Sequence, residues 1–111
     1  MQTARINRIN SMIREHLGQV IFEECDWTRA IVLSITKVDT APDLGQSKVY
    51  ISLFCDDDSK QKHLSRIKRQ AKHLRFVLAS RIKIRKIPLL KFILDESLEA
   101  GQRVTKMLEN I

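Results

Sequence analysis

Glycine and proline are scarce in this 111-residue chain, at three and two residues, and the scarcity removes several classes of function. Gly18, Gly45 and Gly101 stand too far apart to build a glycine-rich loop around a phosphate. The two cysteines, Cys25 and Cys55, form neither a CxxC pair nor a metal-ligand spacing, and read as reduced thiols packed like small hydrophobes. No apolar run exceeds four residues, as at 30–33, which is far too short to cross a bilayer. The opening MQTARINRIN lacks the apolar core of a secretory signal, so a soluble, cytoplasmic protein is expected. His16, His63 and His73 are dispersed and belong to no nucleophile or metal motif, which leaves catalysis, a metal and a cofactor unsupported.

The strongest absence is of acid. Between Ser59 and Leu94 there is no Asp or Glu, and that window carries +12. The remainder, with eight basic and thirteen acidic residues, carries −5, so the net +7 is a local feature. Charge gathered in this way points to a polyanionic partner, nucleic acid or an anionic membrane surface. At 43% hydrophobic and 30% charged residues, the chain is globular, and its length suits one domain over 1–111.

Periodicity supplies the elements. Ile6, Ile9, Ile13, Val20 and Ile21 recur at helical spacing and predict a helix over 3–24, weakened at Gly18. RAIVLSITKV places Ile31, Leu33 and Ile35 in alternation. SKVYISLFC puts Val49, Ile51 and Leu53 on one face and Lys48, Tyr50 and Ser52 on the other. Pro42, Asp43 and Gly45 supply turn chemistry between these two strands, giving an antiparallel hairpin. Asp56, Asp57 and Asp58 could ligate a hard cation, but no spaced oxygen ligands follow, and capping of the next helix is the better reading. In that helix Leu64, Ile67, Ala71, Leu74 and Leu78 form an apolar stripe, with Lys62, Arg66, Lys68, Arg69, Lys72 and Arg75 across the opposite side. Residues 82–87 alternate as an extended approach, and Pro88 opens a third strand over 88–94. Asp95, Glu96 and Ser97 then start a short final helix with Leu98, Val104, Leu108 and Ile111 inward. The class is α+β, with a three-stranded sheet.

A charged stripe on an amphipathic helix is usually a solvated surface, and such surfaces mix signs. Here Lys62 and Arg66, Lys68 and Lys72, and Arg81 and Arg85 are like-charged pairs at i,i+4. Each costs a few tenths of a kcal/mol that a Glu would recover. A phosphate backbone relieves that repulsion. Structured RNA read by shape and backbone fits better than duplex DNA, because the Asn- or Gln-type base readers in this window are Gln61 and Gln70 alone, and backbone-directed Lys and Arg dominate. A membrane fits less well, since the apolar stripe is needed for the core and Trp27 lies outside the window. The residues proposed to meet RNA are Lys60, Lys62, Arg66, Lys68, Arg69, Lys72, Arg75, Arg81, Lys83, Arg85 and Lys86. A generic basic module for nucleic acid or acidic protein remains an alternative.

The order α-β-β-α-α-β matches the bacterial (type II) KH domain. VDTAPDLGQSKVYIS at 38–52 resembles the hairpin signature of the ribosome-binding factor A family. RIKIRKIPLLKFILDESLEAGQRV at 81–104 resembles that family's second block, carried here by Pro88, Phe92, Asp95, Ser97, Gly101 and Arg103. The resemblance implies a non-catalytic maturation factor, and a monomer is expected because nothing in the sequence suggests an obligate dimer. Its partner would be the free or precursor 30S subunit, meaning 16S rRNA and neighbouring ribosomal proteins, and it would assist rRNA folding and processing, above all in the cold. It also implies a kinked helix pair whose junction, typically Ala-x-Gly, falls at Gln70, Ala71 and Lys72. Lys72 stands in the glycine's place and offers an ammonium to phosphate.

Overall fold

A computed structural model of the chain describes residues 3–96. The first helix, α1 (Ala4–Glu24), is capped by Thr3, whose Oγ1 accepts the Ile6 N–H at 3.2 Å. Its buried face comprises Ile6, Ile9, Ile13, Leu17, Val20 and Ile21. Leu17, absent from the expected stripe, closes the gap between Ile13 and Val20. The helix runs unbroken through Gly18, and a Cβ placed there would meet no atom within 4 Å.

A short 3₁₀ helix, Asp26–Ala30, turns the chain into β1 (Val32–Thr40), a segment that periodicity alone did not single out. The hairpin to β2 (Gln46–Phe54) is antiparallel as expected. Its turn differs in detail: Asp43 Oδ1 accepts the Gly45 N–H at 2.8 Å, while the left-handed residue is Leu44, at φ 61°. The alternation in β1 also slips once. A bulge between Ile35 and Lys37 moves the inward positions from Leu33 and Ile35 to Val38 and Thr40. Thr36, the extra residue, donates its hydroxyl to Asp95 Oδ2 at 2.7 Å. Ser52, expected on the outer face of β2, is fully buried, because β2 is the central strand and a serine is small enough to be covered by its neighbours.

After β2 come α2 (Asp57–Arg69) and α3 (Ala71–Arg81), then β3 (Leu89–Leu94), which pairs parallel to β2. Pro88 stands just before the strand, and the first ladder N–H, from Leu89, reaches Gly45 O at 3.1 Å. Residues 82–87 do alternate, with Ile82 buried and Lys83, Arg85 and Lys86 exposed, but they pair with no strand. One core runs through these layers: Ile13, Leu17 and Ile21 from α1, Val49, Ile51 and Leu53 from β2, Ile67, Leu74 and Leu78 from the helix pair, and Phe92 from β3. The final helix expected from Asp95, Glu96 and Ser97 falls beyond Glu96 outside the described residues; within them, Asp95 Oδ2 accepts the Thr36 hydroxyl and the Asp95 N–H donates to Ile51 O at 2.7 Å.

With open space at Gly18 and helical backbone around it, Gly18→Ala should raise stability by about 0.5–1 kcal/mol. A shift of the urea midpoint at unchanged slope checks this.

Candidate nucleic-acid interface

The helix pair breaks at one residue. Gln70 sits at φ −95° and ψ 1°, with its N–H reaching back to Ile67 O at 3.1 Å, while Leu74 N–H bonds to Gln70 O at 2.9 Å to open α3. This backbone region is open to any residue, so no glycine is required at the junction. The Gln70 side chain is tied to the end of α1, where Cys25 Sγ donates to its Oε1 at 2.9 Å. Cys25 is in the core, and burial pushes its thiol above the ordinary value, with Glu24 and Asp26 adding to the effect. Lys72 lies within the first turn of α3, which contains no acid. It therefore adds positive charge to the helix end that already carries the positive dipole. The three aspartates open α2 as expected, Asp56 at the N-cap position and Asp57 and Asp58 in the first turn, but Asp56 makes no side-chain capping bond, and Asp57 binds Lys60 at 2.6 Å.

The eleven cations expected to face RNA divide into groups. Lys62, Lys68, Arg69 and Lys72 are exposed on the helix pair, and no carboxylate pairs with them among the described residues. Lys83, Arg85 and Lys86 are exposed on the segment after α3. Three others have internal partners, which corrects the expectation that they are free. Lys60 is buried, its side chain 7% exposed, against Asp57. Arg81 pairs with Glu23 of α1, and that guanidinium holds the Glu23 carboxyl below its ordinary value. Arg75 lies at the edge of the apolar stripe, not opposite it. Its Nε reaches Ile87 O and Pro88 O, both at 3.1 Å, and its Nη2 reaches Ile87 O at 2.6 Å. It fastens α3 to the chain just before β3.

Arg66 is half-buried and lies over the Trp27 ring, 5.5 Å from its centroid. Trp27 in turn stacks on His63, with centroids 5.2 Å apart and planes within 8°. The 3₁₀ helix therefore brings the single tryptophan against the basic helix, a contact no local sequence pattern carries. Burial pushes the His63 imidazole below its ordinary 6.5, and the Arg66 and Lys62 cations push it the same way. Phe76, also missing from the expected site, is 75% exposed, one helical turn beyond Lys72. A period count would have found it, because it lies midway between Leu74 and Leu78 and so points away from their stripe.

An α+β domain of KH-like type, with a broken, cationic helix pair between a central strand and its parallel neighbour, is the class these features define. The chain belongs to the ribosome-binding factor A family: the family model of that description matches residues 5–108. Ribosome-binding factor A of Microcystis aeruginosa is 32% identical over 109 residues, covering 96% of this chain and 85% of that protein. The crystal structure of ribosome-binding factor A from Thermus thermophilus superposes with a TM-score of 0.68 at 21% identity, over 80% of this chain and 94% of that one. A homology model of Thermus thermophilus ribosome binding factor A, fitted into the cryo-EM map of its 30S complex, gives a TM-score of 0.57 at 22% identity, over 77% and 93% of the two chains.

Two predictions follow from the engaged side chains. Arg75→Met should cost about 2 kcal/mol in urea unfolding. Arg75→Lys should recover little of it, since an ammonium cannot reproduce the planar fork that spans both carbonyls. For His63, the folded value lies below the unfolded one, so the unfolded chain takes up the proton first as pH falls. Its effect is nil well above pH 6.5 and increasingly destabilising below it. Between about pH 8 and about pH 5, the urea midpoint of His63→Gln should fall less than that of the parent.

Proposed function

We propose that this chain is a non-catalytic maturation factor that binds free or precursor 30S subunits through the outer face of the α2–α3 pair and favours one arrangement of their 16S rRNA. The observation that carries this reading is the row of Lys62, Lys68, Arg69 and Lys72, exposed around the break at Gln70 with no carboxylate set against it among the described residues. Family membership supports it, as does the 30S complex named for the Thermus relative. Phe76 adds a ring to the same face. Bases stack on exposed rings with little regard to sequence, so Phe76 would hold an unpaired base while the cations hold phosphates.

The mechanism needs no bond chemistry. A factor that binds one RNA conformation more tightly than another shifts the population by the difference in affinity, and by no more than that. The service matters most in the cold, where trapped RNA rearranges slowly. A monomer acting in the cytoplasm suffices for it.

Four phosphates neutralised by this row should give a log–log salt dependence with slope between about −3 and −4. K68E/R69E/K72E should abolish co-sedimentation with small subunits while its circular dichroism and urea midpoint stay native. Undiminished co-sedimentation of a folded triple variant would falsify the proposal. Chemical probing of precursor subunits should also change locally on adding the parent protein and not on adding the variant.

A further inference from the structure

A second cationic site forms where the N-terminal half of α1 meets the irregular segment 82–87. Arg5 and Arg8 from the helix, with Lys83, Arg85 and Lys86 from the segment, line a groove of about 280 Å³. Among the described residues, the rest of its wall is apolar and no carboxylate lines it. None of the five cations has an acidic partner among the described residues. The first turn of α1 also holds no acid, although the helix dipole favours one there, and Arg5 and Arg8 repel each other at i,i+3. Five like charges beside low-dielectric walls concentrate a positive potential in the groove.

The shape of the array selects the ligand. Arg5 and Arg8 are one helical turn apart, about 4.5 Å along the axis. Lys83 and Arg85, two residues apart on non-helical chain, are spaced by at most about 7 Å. All five side chains belong to exposed residues, so the charges form two rows and not a buried cradle for one compact ion. We propose that this groove binds consecutive phosphodiesters of an RNA strand, with Arg5 and Arg8 completing a site that Lys83, Arg85 and Lys86 begin. The proposal rests on the small-subunit reading and extends it to a contact away from the helix break.

The test compares R5Q/R8Q and K83Q/R85Q with the parent and with K68E/R69E/K72E, in co-sedimentation with small subunits across a salt series. Each double variant should bind roughly tenfold more weakly, with a salt slope shallower by about 1.5. R5Q/R8Q should unfold at the same urea concentration as the parent or a higher one, because it removes a like-charge pair from an exposed helix face. Parent affinity in both double variants, alongside a defective triple variant, would overturn the groove and leave the helix-pair interface standing. Normal binding by all three would remove both. Weakened binding at an unchanged slope would also overturn the proposal, since phosphate contacts must release counterions. Inorganic pyrophosphate provides the last arm. If it raises the melting temperature of the parent but not of R5Q/R8Q, and subunit binding is the same for both, the groove belongs to a small free anion and the RNA assignment is wrong.

Discussion

Strands β2 and β3 run side by side in the same direction, and this pairing obliges the chain between Phe54 and Leu89 to return along the whole sheet. The return is made by α2 and α3. Their inner face must bury Leu64, Ile67, Leu74 and Leu78, so their outer face has only solvent or a partner to meet. A single straight helix would overrun the strands it spans. The break at Gln70 folds the return into two shorter helices, and the bond from Cys25 fastens the fold point to the end of α1. The helix pair and the outward placement of its basic face are thus consequences of one parallel ladder.

The cations of the acid-free window serve two different ends. Lys60, Arg75 and Arg81 are engaged within the domain, on Asp57, on two backbone carbonyls and on Glu23. Arg66 is held over Trp27. These side chains fasten α2 to its own first turn and to the 3₁₀ helix, α3 to the approach to β3, and the end of α3 to α1. The others are exposed, with no carboxylate paired to them among the described residues, and their mutual repulsion offsets some of that stabilisation. A domain of this size retains only a small net stability, so such repulsion is tolerated where something outside the domain relieves it.

The break also shows what a family's glycine does and does not supply. Where the ribosome-binding factor A pattern has Ala-x-Gly, this chain has Lys72 after Ala71, yet the helix pair still divides at Gln70. Among the described residues the positive backbone angle falls on Leu44 in the hairpin turn, and none is needed at the junction. At the bend Gln70 lies near ψ 0°, and its side chain accepts from the Cys25 thiol.

Local chemistry in the sequence determined α1, the three strands and the basic helical stretch, but not the 3₁₀ helix at Asp26–Ala30. The stripe in α1, the turn at 41–45, the alternation in β2, the proline before β3 and the acid-free window are all legible, because each depends on neighbours within a few residues. The junction at Gln70–Lys72 was legible through family resemblance and not through any breaker residue. Tertiary structure alone decided the rest. The bulge at Thr36 answers to Asp95, the burial of Ser52 to its place in the central strand, and the stacking of Trp27 on His63 to a turn far away in the chain. The division of one run of lysines and arginines into anchors and free charges depends on which carboxylates and carbonyls the fold brings near. That distance is a property of the packed chain, and no count along the sequence contains it.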